Sequence, residues 1–375
     1  MHFKHLTRRF LMNEKAYYLK WDDTVIGNIH SDFSVTFLLP YYNDVVSLYT
    51  SGHTHWTAGE FRHFLSHRII NRERRDIEKI LFRCGLSTYD AIKIGLITRG
   101  IHPKDLLWIA TDETEDFNAV ISPVFESVFY QKFDLLGDSI DTPEGYNIKR
   151  YGVYNEKYGI YKQRISPLTT DVESEIAVYL LAKELGIPCC PAHRVDEKTI
   201  FSTFLYDFRE EYLVHFRRLF EGERTSNEYL NLTSIRPQFT NSIIKMIVLD
   251  FITRQDDRHL SNIAIKITGD TESFYPLYDN GRSLFYEDTE AMVLAANKDP
   301  QNYATTFGYA GTYWDYVKEI VSDGHDITSL VNLDVSSVDI YNILVTAGFV
   351  GYRLEGAHTW IKTAIDLIKD LTSGN

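Results

Sequence analysis

The sequence predicts an α+β protein in two lobes, one small and β-rich with a single embedded helix, the other larger and mainly helical. Three observations predict this plan: a strand–turn–strand pattern near residue 155, an amphipathic helix soon after it, and mainly helical patterns from about residue 208 onward. An N-terminal α/β extension precedes both lobes. We place the extension at 1–130, the small lobe at 131–207 and the large lobe at 208–375.

The composition is that of a globular protein without disulfides. Of the 375 residues, 44% are hydrophobic and 14% aromatic. No apolar run approaches the ~18 residues of a membrane span. Cys84, Cys189 and Cys190 show no CxxC spacing, so we expect reduced thiols and no structural zinc site. The N-terminal stretch lacks the cleavage site of a signal peptide, and the expected location is therefore cytoplasmic.

The extension contains two short helical patterns and one basic run. Apolar residues of 77–84 recur at helical spacing, and Gly85 ends that run. A second helical pattern starts after Ser87, which keeps open a DNA-binding regulator that uses two helices joined by a turn. The arginines of 62–75 are interpreted as a solvated helix face. The net charge of −13 argues against direct nucleic-acid binding as the main function.

The small lobe is predicted to contain a β-hairpin followed by a helix. "NIKRYGVY" and "YGIYKQRI" are rich in aromatic and β-branched residues and flank the polar turn "NEK". In the helix "TDVESEIAVYLLAKELGIP", Thr170 and Glu173 have the spacing of a capping box, and Gly186 with Pro188 ends the pattern. The segment 199–206, "TIFSTFLY", predicts a further strand.

A polar loop between apolar elements is the most informative part of the large lobe. The helix "NSIIKMIVLDFITRQ", with Asn241 as its predicted N-cap, runs into the loop "DDRHLSN" at 256–262. The strand 263–267, the turn "TGD" and a returning strand "FYPLY" then lead to Asp-Asn-Gly at 279–281.

Asp257 and Asn262 have the D-x-x-x-x-N spacing of a protein-kinase catalytic loop, and Asp279 begins a D-x-G motif after the hairpin. In kinases, the first aspartate orients or deprotonates the attacking hydroxyl, while the asparagine and the second aspartate hold Mg²⁺ on hard oxygens. A polar loop also produces D-x-x-x-x-N by chance, but the hairpin and the D-x-G favour phosphoryl transfer. Asp256 has the wrong offset. The predicted fold is therefore protein-kinase-like.

A kinase also needs a cation on the ATP phosphates, held by a helical glutamate. Lys162 in a predicted strand and Glu175 in the following helix stand in the order of that pair, and we predict an ion pair between them. The sequence contains no glycine-rich nucleotide motif. The segment 135–150 is the candidate phosphate loop, with hydroxyls such as Ser139 and added charge from Lys149.

These motifs resemble those of the HipA-like serine/threonine kinases of bacterial toxin–antitoxin systems. The similar segments cover about 135–370 and are "TPEGYNIKRYG", "VESEIAVYLLAKELGIP", "DDRHLSN" and "LYDNG". The N-terminal part is loosely similar to phage-associated and clostridial relatives.

The resemblance implies ATP and Mg²⁺ as cofactors and phosphorylation of a protein Ser/Thr. It also implies autophosphorylation in the phosphate loop, with Ser139 and Thr142 as candidates, and often growth arrest restrained by an antitoxin partner. It assigns Asp257 as the base and Asn262 and Asp279 as metal ligands. The implied cofactor contacts are Lys162, Glu175, Lys149, Ser139 and His259. Tyr206 and Asp207 are implied as the hinge that binds adenine.

Three other functions remain open. A kinase-like phosphotransferase acting on a lipid or a small molecule would use the same loop, although the acidic balance disfavours a lipid. A DNA-binding regulator would use the extension. A pseudokinase scaffold would lack a catalytic residue, and no residue of the catalytic set is missing from the sequence.

Overall fold

The computed structural model describes residues 17–74, 76–83, 85–121, 148–220, 225–304, 307, 311–331 and 339–373. The chain forms two compact units. The first comprises Met1–Gln163 and Tyr206–Tyr212, and the second comprises Arg164–Leu205 and Leu213–Asn375. Cys84 and the predicted phosphate-loop residues Ser139 and Thr142 lie outside the described residues.

An antiparallel five-stranded sheet forms the core of the first unit. Its strands, in the spatial order β4-β3-β2-β1-β5, are β1 (Tyr17–Trp21), β2 (Thr24–Ile29), β3 (Val35–Phe37), β4 (His55–Trp56) and β5 (Leu107–Ala110). Leu19, Ile26 and Trp108 of these strands are almost fully buried. Mixed α and β structure in the N-terminal extension is therefore confirmed.

Short helices accompany this sheet. They are α1 (Asp44–Thr50), α2 (Ala58–Ser66), α3 (Ile77–Arg83), α4 (Ala91–Ile97) and α5 (Phe117–Val120). The first predicted helix is confirmed as α3, and Gly85 follows it with a φ of 74°. The second begins at Ala91 because Asp90 is its N-cap and accepts a hydrogen bond from the Ile92 amide at 3.0 Å.

The basic run at 62–75 is not a solvated face throughout. Arg68 is buried, and its guanidinium donates two hydrogen bonds of 2.7 Å to the carboxylate of Asp105. Arg74 is also buried and pairs with Asp76 at 2.6 Å. The interpretation as a solvated face is wrong for these two arginines, because their charges are matched inside the unit instead of being offered to a partner.

The predicted hairpin of the first unit consists of β6 (Lys149–Tyr154) and β7 (Lys157–Gln163). Asn155 and Glu156 have positive φ angles of 48° and 63°, as a two-residue type I′ turn requires. The register places Lys149 directly opposite Lys162, so both side chains leave the same face of the hairpin. This juxtaposition of two cations bears on the candidate site.

The second unit begins with the predicted helix, α6 (Asp171–Glu184), which starts after Thr170. The predicted capping box is wrong, since Thr170 makes no side-chain cap. Glu173 instead forms ion pairs with Arg164 at 2.6 Å and Arg194 at 3.3 Å. Two guanidinium groups offer this carboxylate stronger, charge-assisted hydrogen bonds than a backbone amide does.

The remaining elements are two antiparallel hairpins, several helices and one strand that spans the boundary of the units. They are β8 (Ala192–Asp196) with β9 (Thr199–Thr203), β10 (Glu211–His215) at the boundary, α7 (Glu228–Ile235), α8 (Thr240–Ile252), β11 (Ala264–Thr268) with β12 (Thr271–Phe274), α9 (Glu290–Ala296), α10 (Tyr313–Ser322), α11 (Ile327–Val331), α12 (Ile340–Ala347) and α13 (Gly351–Ser373). In the described part of the chain, none of the helices has both the length and the apolar character needed to cross a bilayer.

Helix α8 is the buried element from which the polar loop emerges. Every residue from Met246 to Ile252 is buried. Asn241 lies in its first turn, so the predicted N-cap role is wrong. The returning strand is also earlier than predicted, at Thr271–Phe274, and Pro276 beyond it has no amide hydrogen to give to a strand ladder.

We expect Gly152→Ala to destabilise the hairpin. A Cβ at this position would lie 2.3 Å from Cε2 of Tyr161. That ring is held by its hydroxyl, which donates to the Val153 carbonyl at 2.8 Å, and by the Arg150 guanidinium, 4.6 Å from the ring centroid. The expected loss is about 1–3 kcal/mol in the free energy of unfolding, measured by denaturant titration.

The matched control is Gly59→Ala, because a Cβ there would meet only Thr57 Oγ1 at 3.7 Å. It should unfold at the wild-type denaturant concentration or slightly above it, because Gly59 lies in α2 and alanine is the better helix former. If Gly152→Ala did the same, the ring would not be fixed over the glycine.

Candidate active site

The loop after α8 is held by the segment that follows Asp-Asn-Gly. The amide of Asp256 donates to the carbonyl of Arg282 at 2.9 Å, and the amide of Leu284 donates to the carbonyl of Thr253 at 2.9 Å. The whole β11–β12 hairpin separates these segments along the chain. Ser174 of α6 adds a third tie, since its hydroxyl donates to the Ser283 carbonyl at 2.7 Å. The loop is thus braced from outside.

Arg258 connects three elements of the site and is fully buried. Its Nε and Nη2 donate to the two carboxylate oxygens of Asp250 on α8, at 2.9 and 3.0 Å. Its Nη1 donates to the carbonyls of Tyr278 at 2.9 Å and Asn262 at 3.3 Å. Its Nη2 also donates to Oδ1 of Asn280 at 2.6 Å. One guanidinium therefore joins the helix, the loop and the Asp-Asn-Gly segment.

The charges of Asp250 and Arg258 depend on each other. Burial raises the pKa of Asp250, and the guanidinium opposes that rise. Burial alone would lower the pKa of Arg258, but the attraction of Asp250 holds it above its ordinary value. Since a guanidinium stays charged in proteins, the carboxylate is needed as its counter-charge in this water-poor position.

Asp257, the predicted base, is fixed through its backbone while its carboxylate faces outward. Its carbonyl accepts from the amide of His259 at 3.0 Å and from Nδ2 of Asn262 at 2.8 Å. Its side chain is 31% exposed. Arg282 Nη1 lies 3.7 Å from one carboxylate oxygen, and His259 Nε2 lies 3.9 Å from the other. A carboxylate held in this way is accessible to a hydroxyl and has cationic or potentially cationic groups beside it.

Asn262 is buried, and a hydrogen bond fixes the orientation of its amide. The nitrogen Nδ2 donates to the Asp257 carbonyl, as above, and the Asn262 amide hydrogen is donated to the carbonyl of His259 at 2.7 Å. The side-chain bond uses the nitrogen and leaves the oxygen, which is the atom that binds cations. The predicted base and the predicted metal ligand are therefore directly connected.

Asp279, the second predicted metal ligand, has a left-handed backbone with a φ of 57°. The chain before it is fixed, because Leu277 donates to the Pro188 carbonyl at 3.0 Å and accepts from the Cys190 amide at 2.8 Å. The chain after it is fixed through Asn280. Such a conformation persists in a non-glycine residue only where the surroundings enforce it, and it is often found at functional sites.

Of the two candidate glutamates on α6, Glu175 lies against the Asp-Asn-Gly segment. It is buried, and a Cβ placed on Gly281 would lie 3.4 Å from its Cγ and 3.3 Å from the Asp171 carbonyl oxygen. A glycine therefore allows the segment to approach α6 closely. The ion pair of Glu175 with Lys162 would join the two units and stays a prediction.

On the first unit, Lys149 and Lys162 form a cross-strand pair. Lys149 is buried and Lys162 half-buried. Two ammonium groups on one face of a hairpin can both donate charge-assisted hydrogen bonds to phosphate oxygens. The pair is therefore a candidate for phosphate binding, with Lys149 on β6 at the end of the predicted phosphate-loop segment.

The predicted adenine-hinge residues are part of the first unit. Tyr206 is buried, and its hydroxyl donates to the Pro103 carbonyl at 3.2 Å. The carboxylate of Asp207 accepts from the Arg209 amide at 3.0 Å, and its own amide donates to Glu211 at 2.8 Å. Both side chains shape a local turn, and their contact with a nucleotide stays a prediction.

His259 begins a 3₁₀ turn over Leu260–Asn262. Its Nδ1 accepts from the Ser261 amide at 3.2 Å, so in the neutral ring the hydrogen is on Nε2, the nitrogen nearer to Asp257. The predicted cofactor role of His259 stays a prediction.

The chemistry of the two predicted metal ligands is compatible with Mg²⁺. In the parts of the chain that the structure describes, no group of three or more His, Cys, Asp and Glu side chains could hold a metal ion alone. Asn262 and Asp279 offer one amide and one carboxylate, both hard oxygen ligands. Mg²⁺ is usually bound by one or two carboxylates together with substrate phosphates and water.

Four residues of this site have no role in the sequence-based assignment, and they are Arg258, Asp250, Asn280 and Arg282. Arg258 lies inside the motif, but no local pattern connects it to its partners. Asp250 did give a signal, as the one carboxylate inside the apolar run "MIVLDFI". Asn280 is marked in the sequence only as the middle residue of the D-x-G motif. Arg282 gave no signal, because its approach to Asp257 depends on how the segment after Gly281 folds back.

Comparison with solved structures identifies the fold. HipA of Shewanella oneidensis MR-1, from a toxin–antitoxin system solved with HipB and its operator DNA, matches with a TM-score of 0.53 at 12% identity, over 94% of this chain and 99% of that one. The proinflammatory kinase CtkA of Helicobacter pylori matches with a TM-score of 0.49 at 17% identity, over 61% of this chain and 93% of that one. No protein-family model matches the sequence, and no curated protein matches it.

The chain is thus an α+β protein of kinase-like fold, as predicted. More particularly, its fold is that of HipA. The resemblance predicted from the motifs is confirmed at the level of the fold.

We expect Arg258→Met to cost about 3–5 kcal/mol in the free energy of unfolding, because it leaves the Asp250 carboxylate buried without its counter-charge. The matched control is Arg236→Met. Its ion pair with Glu272, at 2.9 Å, has side chains 24% and 30% exposed, so its loss should cost less than about 1 kcal/mol. Denaturant titration of both variants tests the difference.

The penalty should also depend on pH. Without Arg258, the folded-state pKa of Asp250 would lie further above its unfolded value, so the folded variant would bind the additional proton. Its stability should therefore rise as the pH falls from 8 toward about 5. A penalty that is the same at both pH values would show that Asp250 is hydrated or otherwise paired in the variant.

Proposed function

We propose that this protein is an ATP-dependent protein serine/threonine kinase of the HipA-like type. The observation that carries the proposal is that a single buried arginine, Arg258, fixes both the loop with Asp257 and Asn262 and the segment with Asp279. Phosphoryl transfer requires these groups to be positioned before the reaction. The kinase-like fold shared with HipA supports the same conclusion.

In this mechanism, Asp257 orients the acceptor hydroxyl and takes its proton as the oxygen bonds to the γ-phosphorus of ATP, while the bond from that phosphorus to the β–γ bridging oxygen breaks and ADP leaves. Its half-exposed carboxylate can be reached by a protein substrate. Asn262 and Asp279 would hold Mg²⁺ on their oxygens. When bound, the ion neutralises charge on the transferred phosphoryl group. Arg282, beside the carboxylate of Asp257, contributes further positive charge where the acceptor arrives.

Lys149 and Lys162 would bind phosphate oxygens of ATP. Their position across the hairpin supports this role, because two ammonium groups on one face can donate charge-assisted hydrogen bonds to neighbouring phosphate oxygens. In the sequence-based hypothesis, Lys162 lies on a strand and Lys149 belongs to the phosphate loop. In the structure Lys149 is the first residue of β6, opposite Lys162 on β7.

The proposed biological role is inferred from the similarity to HipA. That protein forms a toxin–antitoxin system with HipB. We infer that this chain is likewise the toxin kinase of such a pair, with a protein substrate and an antitoxin partner. Incubation with labelled ATP and Mg²⁺, followed by mapping of the phosphosite, tests the activity and separates a protein kinase from a small-molecule phosphotransferase.

We expect Asp257→Asn and Asp279→Asn each to reduce phosphotransfer by roughly 10²–10⁴-fold, since one removes the proton acceptor and the other a metal ligand. Neither changes the side-chain volume much, so both variants should fold. Initial rates with labelled ATP provide the measurement.

Asp256→Asn is the matched control. Burial raises the pKa of Asp256, and its Oδ1 accepts from the Tyr303 hydroxyl at 3.1 Å, which gives this carboxylate a structural role. Its rate should stay within about tenfold of wild type. Near-normal phosphotransfer by Asp257→Asn would end the kinase assignment.

We expect Lys149→Met and Lys162→Met each to weaken binding of a non-hydrolysable ATP analogue by about tenfold or more, because each removes one charge-assisted phosphate contact. Calorimetric titration of the analogue and of adenosine measures the effect, and adenosine binding should change little.

Lys157→Met serves as the control, because this exposed lysine lies at the turn end of the same hairpin. Its affinity for the analogue should match wild type. Equal losses in all three variants would mean that general charge, and not the cross-strand pair, attracts the nucleotide.

A further inference from the structure

The middle residue of the Asp-Asn-Gly segment is held by an unusual set of polar contacts. Asn280 is only 1% exposed. Its Oδ1 accepts from Nη2 of Arg258 at 2.6 Å, and its Nδ2 donates to Sγ of Cys189 at 3.3 Å. Both ends of this amide are thus used inside the second unit.

The neighbours of Asn280 in the chain are fixed by the same elements. Arg258 also binds the Tyr278 carbonyl at 2.9 Å. Before Asn280 in the chain, Leu277 forms a parallel β-bridge with Cys189. After Asn280, Gly281 lies against α6. Asp279 therefore stands between residues that cannot move independently of the buried arginine.

We propose that Asn280 is a positioning residue for metal binding, which locks Asp279 in place through its hydrogen bond to Arg258. This proposal rests on the kinase function proposed above. It concerns how the metal ligand is held, and not the transfer step itself.

The physical reason lies in what a movement of the segment would expose. In protein kinases, the D-F-G phenylalanine occupies this position, and its packing distinguishes active from inactive states. An apolar ring can exchange one apolar pocket for another. The Asn280 side chain cannot exchange positions in this way. If it moved, its amide and the Arg258 guanidinium would each lose a hydrogen bond while remaining buried. The lock therefore keeps the segment in one conformation, with or without nucleotide.

The experiment measures how strongly Mg²⁺ and nucleotide reinforce each other. The affinity of the full chain for a non-hydrolysable ATP analogue is determined by calorimetry in Mg²⁺ and again in EDTA. The ratio of the two dissociation constants is the metal coupling. The variants are Asn280→Leu, which removes the acceptor at similar volume, and Asn280→Asp, which keeps an oxygen for Arg258.

We expect Asn280→Leu to reduce the metal coupling by about tenfold or more, the range seen when residues that orient a metal ligand are removed. Its affinity in EDTA should stay within about twofold of wild type, because the nucleotide contacts on the lysines are unaffected. Asn280→Asp should retain most of the coupling. If Asn280→Leu does not fold, Asn280→Ala removes the acceptor without adding bulk and replaces it.

Tyr313→Phe is the matched control. The Tyr313 hydroxyl donates to Asp250 at 3.5 Å, so its removal disturbs the same ion pair without touching the Asp-Asn-Gly segment. Its metal coupling should equal that of wild type.

The outcomes separate the two proposals. Wild-type coupling in both Asn280→Leu and Asn280→Ala would overturn the lock and leave the kinase function intact. An equal loss of affinity in Mg²⁺ and EDTA would also overturn it, since the residue would then support the fold in general. A wild-type chain that binds no analogue in either buffer would overturn the proposed function, and the role of Asn280 with it.

Discussion

The ion pair of Asp250 and Arg258 is the interaction on which the candidate site depends. Removing both charges from water is costly, and the cost is offset only because the guanidinium also satisfies three groups outside the helix. The helix, the loop and the Asp-Asn-Gly segment therefore take their positions from one side chain. A lysine could not replace it, because an ammonium lacks the planar fork that reaches several acceptors at once.

The parts of this site that could be predicted are those whose residues lie close together in the sequence. The spacing of Asp257 and Asn262 lies within one short loop, so the sequence alone was sufficient to predict their relation, and the amide hydrogen bond between them agrees with it. The partners of Arg258 could not be predicted in this way. Asp250 lies on the preceding helix and Asn280 beyond a hairpin, and no local rule connects them. Only the folded chain shows why an arginine stands beside the predicted base.

The errors in the predicted fold have the same origin. The capping-box spacing of Thr170 and Glu173 is a local rule, and it failed because two arginines outside the helix, Arg164 and Arg194, bind that glutamate. The hairpin with Lys149 and Lys162 was predicted correctly because its pattern and its turn are local. The sequence pattern did not define the strand register. It therefore could not predict that the two lysines lie directly opposite each other.

The charge balance around Arg258 explains why a buried arginine is compatible with the metal site that we propose. A guanidinium bound to the residues on either side of Asp279 would, if unpaired, repel a divalent cation strongly at low dielectric. Asp250 cancels that charge at 2.9 Å, so the anchor is electrically neutral as a pair. In the proposed site, the Asp279 carboxylate would then face the cation without a net positive charge behind it. The ion pair would thus hold the proposed site rigid without repelling the metal ion, which an arginine without Asp250 would do.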